Sequence, residues 1–128
     1  LLVKRIIGLP NEKVKIENGE VIIFNVENSK GIILEEGYLS KNTPSGKFKN
    51  ETRPLTMLSE FTIPQNGYFV LGDLRSQSSD SRYCFLINID EFKNCTEGKI
   101  TFSVSKKDIK GVVIKQGTLK ELHPNTFK

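Results

Sequence analysis

Short apolar segments separated by turn signals run along most of the chain. Residues 14–17 alternate apolar and charged side chains, Asn18-Gly19 follows, and residues 20–24 are again mostly apolar. Asparagine and glycine both tolerate a positive φ, and an Asn-Gly pair between two such segments is a strong local sign of a tight turn. The pattern therefore predicts a β-hairpin over these residues.

Other apolar runs predict further strands at residues 3–7, 31–34, 61–63, 68–71 and 109–114. Polar stretches at residues 41–53 and 72–82 predict a long surface excursion and a loop. A short helix is expected only near residues 90–93. The predicted fold class is therefore mostly β, with long loops and minor helix.

Size and charge narrow the choice of function. The chain of 128 residues has the length of one domain, which we assign to residues 1–128. The net charge is +4, and basic residues are interspersed with acidic ones apart from denser groups at residues 47–49 and 106–110. A nucleic-acid surface would require clustered basic residues with interleaved aromatic side chains. The charge therefore favours a solvated basic face with at most a weak attraction to an anionic membrane surface, and no nucleic-acid partner.

The beginning of the chain resembles the inside of a strand. It starts with Leu1-Leu2-Val3 and has no initiator methionine, no secretory signal and no run of about eighteen apolar residues that could span a bilayer. We therefore expect a fragment that lacks an N-terminal segment. A missing strand would expose a sheet edge, which permits dimerisation by strand exchange.

The cysteines and the single histidine bear on metal binding and on redox state. Zinc takes three or four histidine or cysteine ligands, and the chain has only Cys84, Cys95 and His123, so we expect no metal and no cofactor. We interpret His123 as a surface residue. The two cysteines fit either a disulfide that closes a short loop in an oxidising compartment or two reduced thiols.

Two polar clusters contain the candidate chemistry. Lys4 lies within an apolar run, where burial would favour the neutral amine, a form that can act as a general base. The other interpretation is a lysine that points to solvent from an edge strand. Residues 72–82 hold two acids, two arginines and four serines after an apolar strand. By itself this second cluster predicts a hydrogen-bonded loop, of a kind that is usually structural but can also hold a site.

Together the two clusters resemble type I signal peptidases. That family has a Lys-Arg-x-x-Gly-x-Pro segment and, downstream, Gly-Asp-Asn-Arg-x-x-Ser-x-Asp-Ser-Arg; residues 4–10 and 72–82 match them in the same order. Residues 34–38, 61–73 and 104–111 are also similar to the family, so the resemblance covers residues 1–115. It implies a serine endopeptidase on the family's mostly β catalytic fold.

The resemblance implies roles for individual residues. Lys4 matches the general base, Ser78 the serine whose hydroxyl orients that lysine, and Gly72 a glycine that leaves room beside it. Asp80 and Arg82 match a supporting ion pair beneath the site. Arg5 and Asp73 match two framework positions. Leu2 and Val3 match two positions that line pockets for small substrate side chains.

The family's serine nucleophile lies upstream of the base, after a membrane anchor, and the chain begins too late to include it. The resemblance therefore implies that these residues alone are inactive. It also implies that the full-length parent removes signal peptides from secreted preproteins after a small residue, on the extracytoplasmic side of the cell membrane. Relatives in the endoplasmic reticulum use histidine in place of Lys4, so the resemblance is to the bacterial or organellar type.

The sequence also departs from the family pattern. Leu74 replaces an asparagine, Asn11 replaces a frequent glycine, and Cys84 replaces the glycine after Ser-Arg-Tyr. Residues 84–102 look like an insertion, which a disulfide between Cys84 and Cys95 would cross-link. The departure at Leu74 removes an amide, so hydrogen bonding in that loop must differ.

Two other functions compete with the peptidase. The first is a catalytically inactive signal-peptidase-like chaperone or pilus-assembly factor, against which the retention of Lys4 and Ser78 argues. The second is a self-cleaving repressor of the related serine/lysine fold, which the long second motif and the insertion disfavour. The sequence upstream of Leu1 would discriminate between the first alternative and the enzyme.

Overall fold

The computed structural model describes residues 2–54, 58–86, 94–95, 101–115 and 118–121. The described residues form strands and two short 3-10 turns at Ser81–Tyr83 and Lys106–Asp108, which confirms the mostly β class. The strands are β1 (Arg5–Gly8), β2 (Lys13–Glu17), β3 (Glu20–Phe24), β4 (Ile32–Ile33), β5 (Glu60–Thr62), β6 (Gly67–Leu71), β7 (Val104–Ser105), β8 (Gly111–Lys115) and β9 (Thr118–Glu121).

The predicted hairpin is present as β2 and β3, which pair antiparallel from Lys13 opposite Phe24 to Glu17 opposite Glu20. Asn18 and Gly19 form the turn with φ values of 53° and 81°, in the left-handed region that these two residue types tolerate. This hairpin is the centre of a four-stranded sheet in the order β4-β3-β2-β5. The alternating pattern in the sequence thus fixed both the turn and the register.

The hydrophobic core lies between this sheet and a second, three-stranded sheet in the order β1-β6-β7. All five residues of β6 are buried, as expected for the central strand of a covered sheet. Phe61 of β5 packs against Phe69 of β6, with ring centroids 4.8 Å apart, and against Phe102 at 5.2 Å. The aromatic contacts pack the middle of β6 against β5, and the polar loop at residues 72–80 begins where β6 ends.

Strand β1 differs from its predicted bounds, because it begins at Arg5 and not at Val3, so Lys4 immediately precedes it. Its pairing with β6 shifts register between Ile6 and Gly8. A Cβ at Gly8 would lie 2.2 Å from Ile63 Cδ1, so only glycine fits at this close approach. The predicted strand at residues 31–34 is shorter than expected, since β4 has two exposed residues.

Several expectations lie outside the described residues or stay predictions. The short helix near residues 90–93 and the surface position of His123 fall outside the described part of the chain. The assignment of residues 84–102 to an insertion, the single domain and the strand-exchanged dimer stay predictions. In the described ranges, no helix is long and apolar enough to cross a bilayer.

Candidate active site

Antiparallel pairing of β1 with β6 brings the two sequence clusters together. Arg5 lies opposite Leu71, so the residue before β1 and the residue after β6 are neighbours across the sheet. These residues are Lys4 and Gly72. The loop that follows Gly72 folds back over this point through hydrogen bonds from the backbone N–H groups of Gln77 and Ser78 to the carbonyl of Leu74.

Lys4 and Ser78 are in direct contact. Lys4 Nζ donates a hydrogen bond to Ser78 Oγ at 2.9 Å, across 74 positions of sequence, and the lysine is partly buried. The interpretation of Lys4 as a side chain that simply points to solvent is therefore wrong. The amine has a fixed partner at the open end of the sheet.

Gly72 provides the space for this contact. A Cβ at Gly72 would lie 2.0 Å from Ser78 Oγ, 2.6 Å from Ser78 Cβ and 3.2 Å from Lys4 Nζ. Any side chain at this position would therefore occupy the volume that the serine hydroxyl fills. The absence of a side chain at residue 72 is what lets Ser78 reach the amine.

Arg5 and Asp73, which follow Lys4 and Gly72 in sequence, form a two-point ion pair. Arg5 Nε donates to Asp73 Oδ1 at 2.9 Å and Arg5 Nη2 donates to Asp73 Oδ2 at 2.7 Å. The hydrogen bond from Arg5 holds the pKa of the Asp73 carboxyl below its usual value. The side chains are 41% and 49% exposed, so the pair mainly sets geometry and contributes little stability.

Tyr38 and Glu36 extend this pair. The Arg5 guanidinium lies 3.6 Å from the centroid of the Tyr38 ring, within the range of a cation–π contact. Tyr38 Oη donates to Glu36 Oε2 at 2.7 Å. Burial, followed by this hydrogen bond, raises the pKa of Tyr38 to about 12, so the phenol is a donor at neutral pH.

The other carboxylate contacts of Glu36 are with Arg75, whose side chain is completely buried. Arg75 Nη1 donates to Glu36 Oε1 at 2.9 Å and to Thr52 Oγ1 at 2.7 Å, and Arg75 Nη2 pairs with Glu36 Oε2. Arg75 Nε donates to the carbonyl of Gly72 at 2.9 Å. A chain of polar contacts therefore runs from Arg5 to the backbone of Gly72.

Asp80 and Arg82 form a second, fully buried ion pair, and both side chains have no exposed surface. Arg82 Nε donates to Asp80 Oδ1 at 2.9 Å and Arg82 Nη2 donates to Asp80 Oδ2 at 2.8 Å. Asp80 Oδ2 also accepts from Gly72 N at 3.2 Å, and Arg82 Nη2 donates to the carbonyl of Arg75 at 2.8 Å. The pair therefore contacts the backbone of the loop, in part at the residue that leaves room for Ser78.

The structure joins Cys84 and Cys95 in a disulfide, one of the two states that the sequence left open. Cys84 caps the 3-10 turn at Ser81–Tyr83 in a left-handed conformation. Ser79 Oγ donates to the carbonyl of Leu86 at 3.1 Å. The disulfide thus anchors the segment that continues from the site loop.

Leu2 and Val3 lie beside Lys4, and they are 69% and 67% exposed. They precede β1, which pairs only with β6 among the described residues. The two apolar side chains therefore stand at an open strand edge next to the amine. In the described part of the chain, no three side chains of the metal-ligating types form a group that could hold an ion.

Sequence reasoning missed part of this site. Glu36, Thr52 and Arg75 were not singled out, although Glu36 and Tyr38 belong to a segment that matched the family. Arg75 lies within the second motif, and a charged residue in a polar loop gives no local sign that it will be buried. Contacts over 39 residues, such as that between Arg75 and Glu36, have no signature in local sequence.

Comparison with known proteins shows which family the chain belongs to. The family model described as "Signal peptidase, peptidase S26" matches residues 1–113, so the chain belongs to the signal peptidase family. Its relatives are of type I. The chain is 38% identical over 80 residues to signal peptidase I S of Bacillus subtilis strain 168, an alignment that covers 62% of this chain and 40% of the relative.

Two further similarities were found. The chain is 33% identical over 107 residues to signal peptidase IB of Staphylococcus aureus, covering 78% of this chain and 51% of the relative. It is 34% identical to a crystal structure of a signal peptidase I from Enterococcus faecalis V583, covering 64% of this chain and 70% of that one, with a TM-score of 0.40. The alignments span about half of the length of the curated relatives.

Proposed function

We propose that the protein containing this chain is a membrane-associated serine endopeptidase that removes signal peptides from secreted preproteins after a small residue. In this proposal Lys4 is the general base, and the serine nucleophile is supplied from a segment upstream of Leu1. The observation that carries the proposal is the hydrogen bond from Lys4 Nζ to Ser78 Oγ in the space that Gly72 leaves open.

The geometry suits a lysine that takes a proton. A serine hydroxyl is a weak nucleophile until an adjacent base removes its proton, and a neutral amine has one lone pair for this purpose. When Lys4 donates one N–H to Ser78, rotation about its terminal bond is restricted and the lone pair is limited to the two remaining directions. Ser78 therefore acts in this proposal as the orienting group of the base, as the third member does in other hydrolytic triads.

Within the described ranges one edge of β1 has no partner strand, which supports an extended substrate. A peptide that adds to a free strand edge forms main-chain hydrogen bonds and places alternate side chains against the same face. Leu2 and Val3 are exposed beside Lys4 at this edge, so their apolar side chains can line shallow pockets for small residues. The scissile bond would then lie next to the amine.

The Cys84–Cys95 disulfide supports a location on the extracytoplasmic side of the membrane. Disulfides form and persist in oxidising compartments and are rare in the cytosol. In this proposal an upstream segment holds the protein at the membrane. That location gives the site access to signal peptides as they emerge.

The test is cleavage of a model preprotein by the full-length parent, with alanine at the first and third positions before the scissile bond. Lys4→Ala should abolish cleavage, and Ser78→Ala should lower the rate by roughly 10²-fold, the scale of one group in acid–base catalysis. Lys15→Ala is the matched control, because Lys15 is a partly buried strand lysine that pairs with Glu17. Its activity should be unchanged.

The free energy of unfolding of every variant should lie within about 1 kcal/mol of that of the wild type. Cleavage by Lys4→Ala at the wild-type rate would remove the general-base assignment. A parent that binds signal peptides without cleaving them would instead support the inactive chaperone.

A further inference from the structure

Asn50 lies outside both sequence clusters and makes side-chain contacts with the loop that contains Ser78. Its Nδ2 donates to the carbonyl of Asp73 at 2.9 Å and to the carbonyl of Ser40 at 3.0 Å. Its Oδ1 accepts from the backbone N–H of Arg75 at 2.8 Å. The side-chain amide of Asn50 therefore binds the site loop at two points and the backbone of Ser40 at a third.

The two contacts with the loop flank Leu74. The carbonyl of Leu74 accepts from the backbone N–H groups of Gln77 and Ser78, at 3.0 and 2.9 Å. The peptide groups on both sides of Leu74 are thus fixed by Asn50, and the carbonyl of Leu74 fixes Ser78. The side chain of Leu74 has no hydrogen-bonding group. The side-chain amide that bonds the backbone at this point of the loop therefore comes from Asn50, in a distant part of the chain.

The position of Ser78 has little tolerance. Its Oγ lies in the volume that a Cβ at Gly72 would occupy, and it is 2.9 Å from Lys4 Nζ. A displacement of about 1 Å is enough to reduce catalysis by about two orders of magnitude when it affects a reacting or orienting group. The loop therefore needs fixed attachment points.

We propose that Asn50 is a positioning residue for the Ser78 hydroxyl, acting through the backbone of Asp73 and Arg75. This role rests on the proposed function, since the position of Ser78 affects turnover only if Lys4 is the base. Asn50 does not touch the substrate or Lys4 in this proposal. It sets the rate by holding the loop and not by taking part in the reaction.

The experiment measures kcat and KM of the full-length protein with Asn50→Ala, Ser78→Ala and the double variant. Asn50→Ala should lower kcat by about 10- to 100-fold with KM changed by less than about 3-fold, the signature of a loss specific to the transition state. In the Ser78→Ala background, Asn50→Ala should lower kcat by less than about 3-fold, because the hydroxyl that it positions is absent.

If Asn50 had a merely structural role, the losses in kcat from the two substitutions would multiply in the double variant. That result would overturn the proposal. Asn25→Ala is the matched control. Asn25 likewise bridges two contacts, donating to Glu12 and accepting from the backbone of Asn28, in the turn after β3. Its loss should change kcat by less than about 2-fold. If Asn50→Ala does not fold, the isosteric Asn50→Asp, which has no donor for the Asp73 carbonyl, replaces it in the same cycle with the same expectations.

Amide hydrogen exchange separates this inference from the proposed function. If the wild-type protein cleaves nothing, the proposed function fails, and the attachment of the loop by Asn50 is still tested by exchange. Exchange at the amides of Arg75 and Ser78 should accelerate at least about 10-fold in Asn50→Ala, while exchange at Val14 in β2 stays unchanged. Unchanged exchange at Arg75 and Ser78 would overturn the positioning role.

Discussion

Gly72→Ala is the sharpest single test of the site geometry. The added Cβ would lie 2.0 Å from Ser78 Oγ, whereas ordinary contact begins at about 3.4 Å, so the serine must move by about 1.4 Å. The Lys4–Ser78 hydrogen bond of 2.9 Å does not survive a shift of this size away from the amine. We therefore expect kcat of the full-length protein to fall by at least about 10²-fold.

The same substitution overpacks a half-buried loop, which should lower the free energy of unfolding by about 1–3 kcal/mol. Cleavage of a model preprotein and denaturant unfolding are measured on the same samples, so that loss of folded protein is separated from loss of rate. Gly37→Ala is the matched control, because a Cβ there meets nothing within 4 Å. Activity of Gly72→Ala within about 3-fold of the wild type would refute the argument that the missing side chain makes room for Ser78.

Three further predictions concern stability. Asp80→Ala leaves the buried Arg82 without its partner and should cost about 3–5 kcal/mol in denaturant unfolding, and a loss below about 1 kcal/mol would contradict the buried pair. Cys84→Ala opens a disulfide between positions eleven apart and should cost about 3 kcal/mol, measured with and without a reductant, which should affect only the wild type. Because the hydrogen bond from Arg5 lowers the pKa of Asp73, the stability from this pair is present at neutral pH and is lost as pH falls through that lowered pKa. The stability difference between the wild type and Asp73→Asn should therefore be at most about 1 kcal/mol at pH 7 and shrink towards pH 3, and a difference that grows on acidification would contradict it.

The local parts of the fold were the predictable ones. The Asn18-Gly19 hairpin followed from two residues that tolerate a positive φ between alternating segments, and its register followed with it. The juxtaposition of Lys4 with Ser78 came from the resemblance to a family, because no local pattern brings together positions 74 apart. The mostly β class could be predicted from the recurrence of short apolar runs alone.

The remaining parts depend on contacts that only the folded chain creates. The bounds of β1 were misjudged because Val3 belongs to the apolar run but takes no part in the pairing with β6, which starts at Arg5. The burial of Arg75 follows from Glu36 and Thr52, which reach it from distant segments. The spacing of the cysteines left their state open, because only the folded chain brings the Cα atoms of Cys84 and Cys95 to 5.8 Å from each other.

The stacking of Arg5 on Tyr38 gives the chain a built-in optical reporter. The chain contains no tryptophan and three tyrosines, so its ultraviolet emission comes from phenol rings. The Tyr38 ring lies 3.6 Å from a guanidinium whose residue follows Lys4 directly, at the open edge of β1. If a peptide binds along this edge, as the proposed function requires, it changes the surroundings of the Arg5 guanidinium, and we expect tyrosine emission to report its binding without an attached dye.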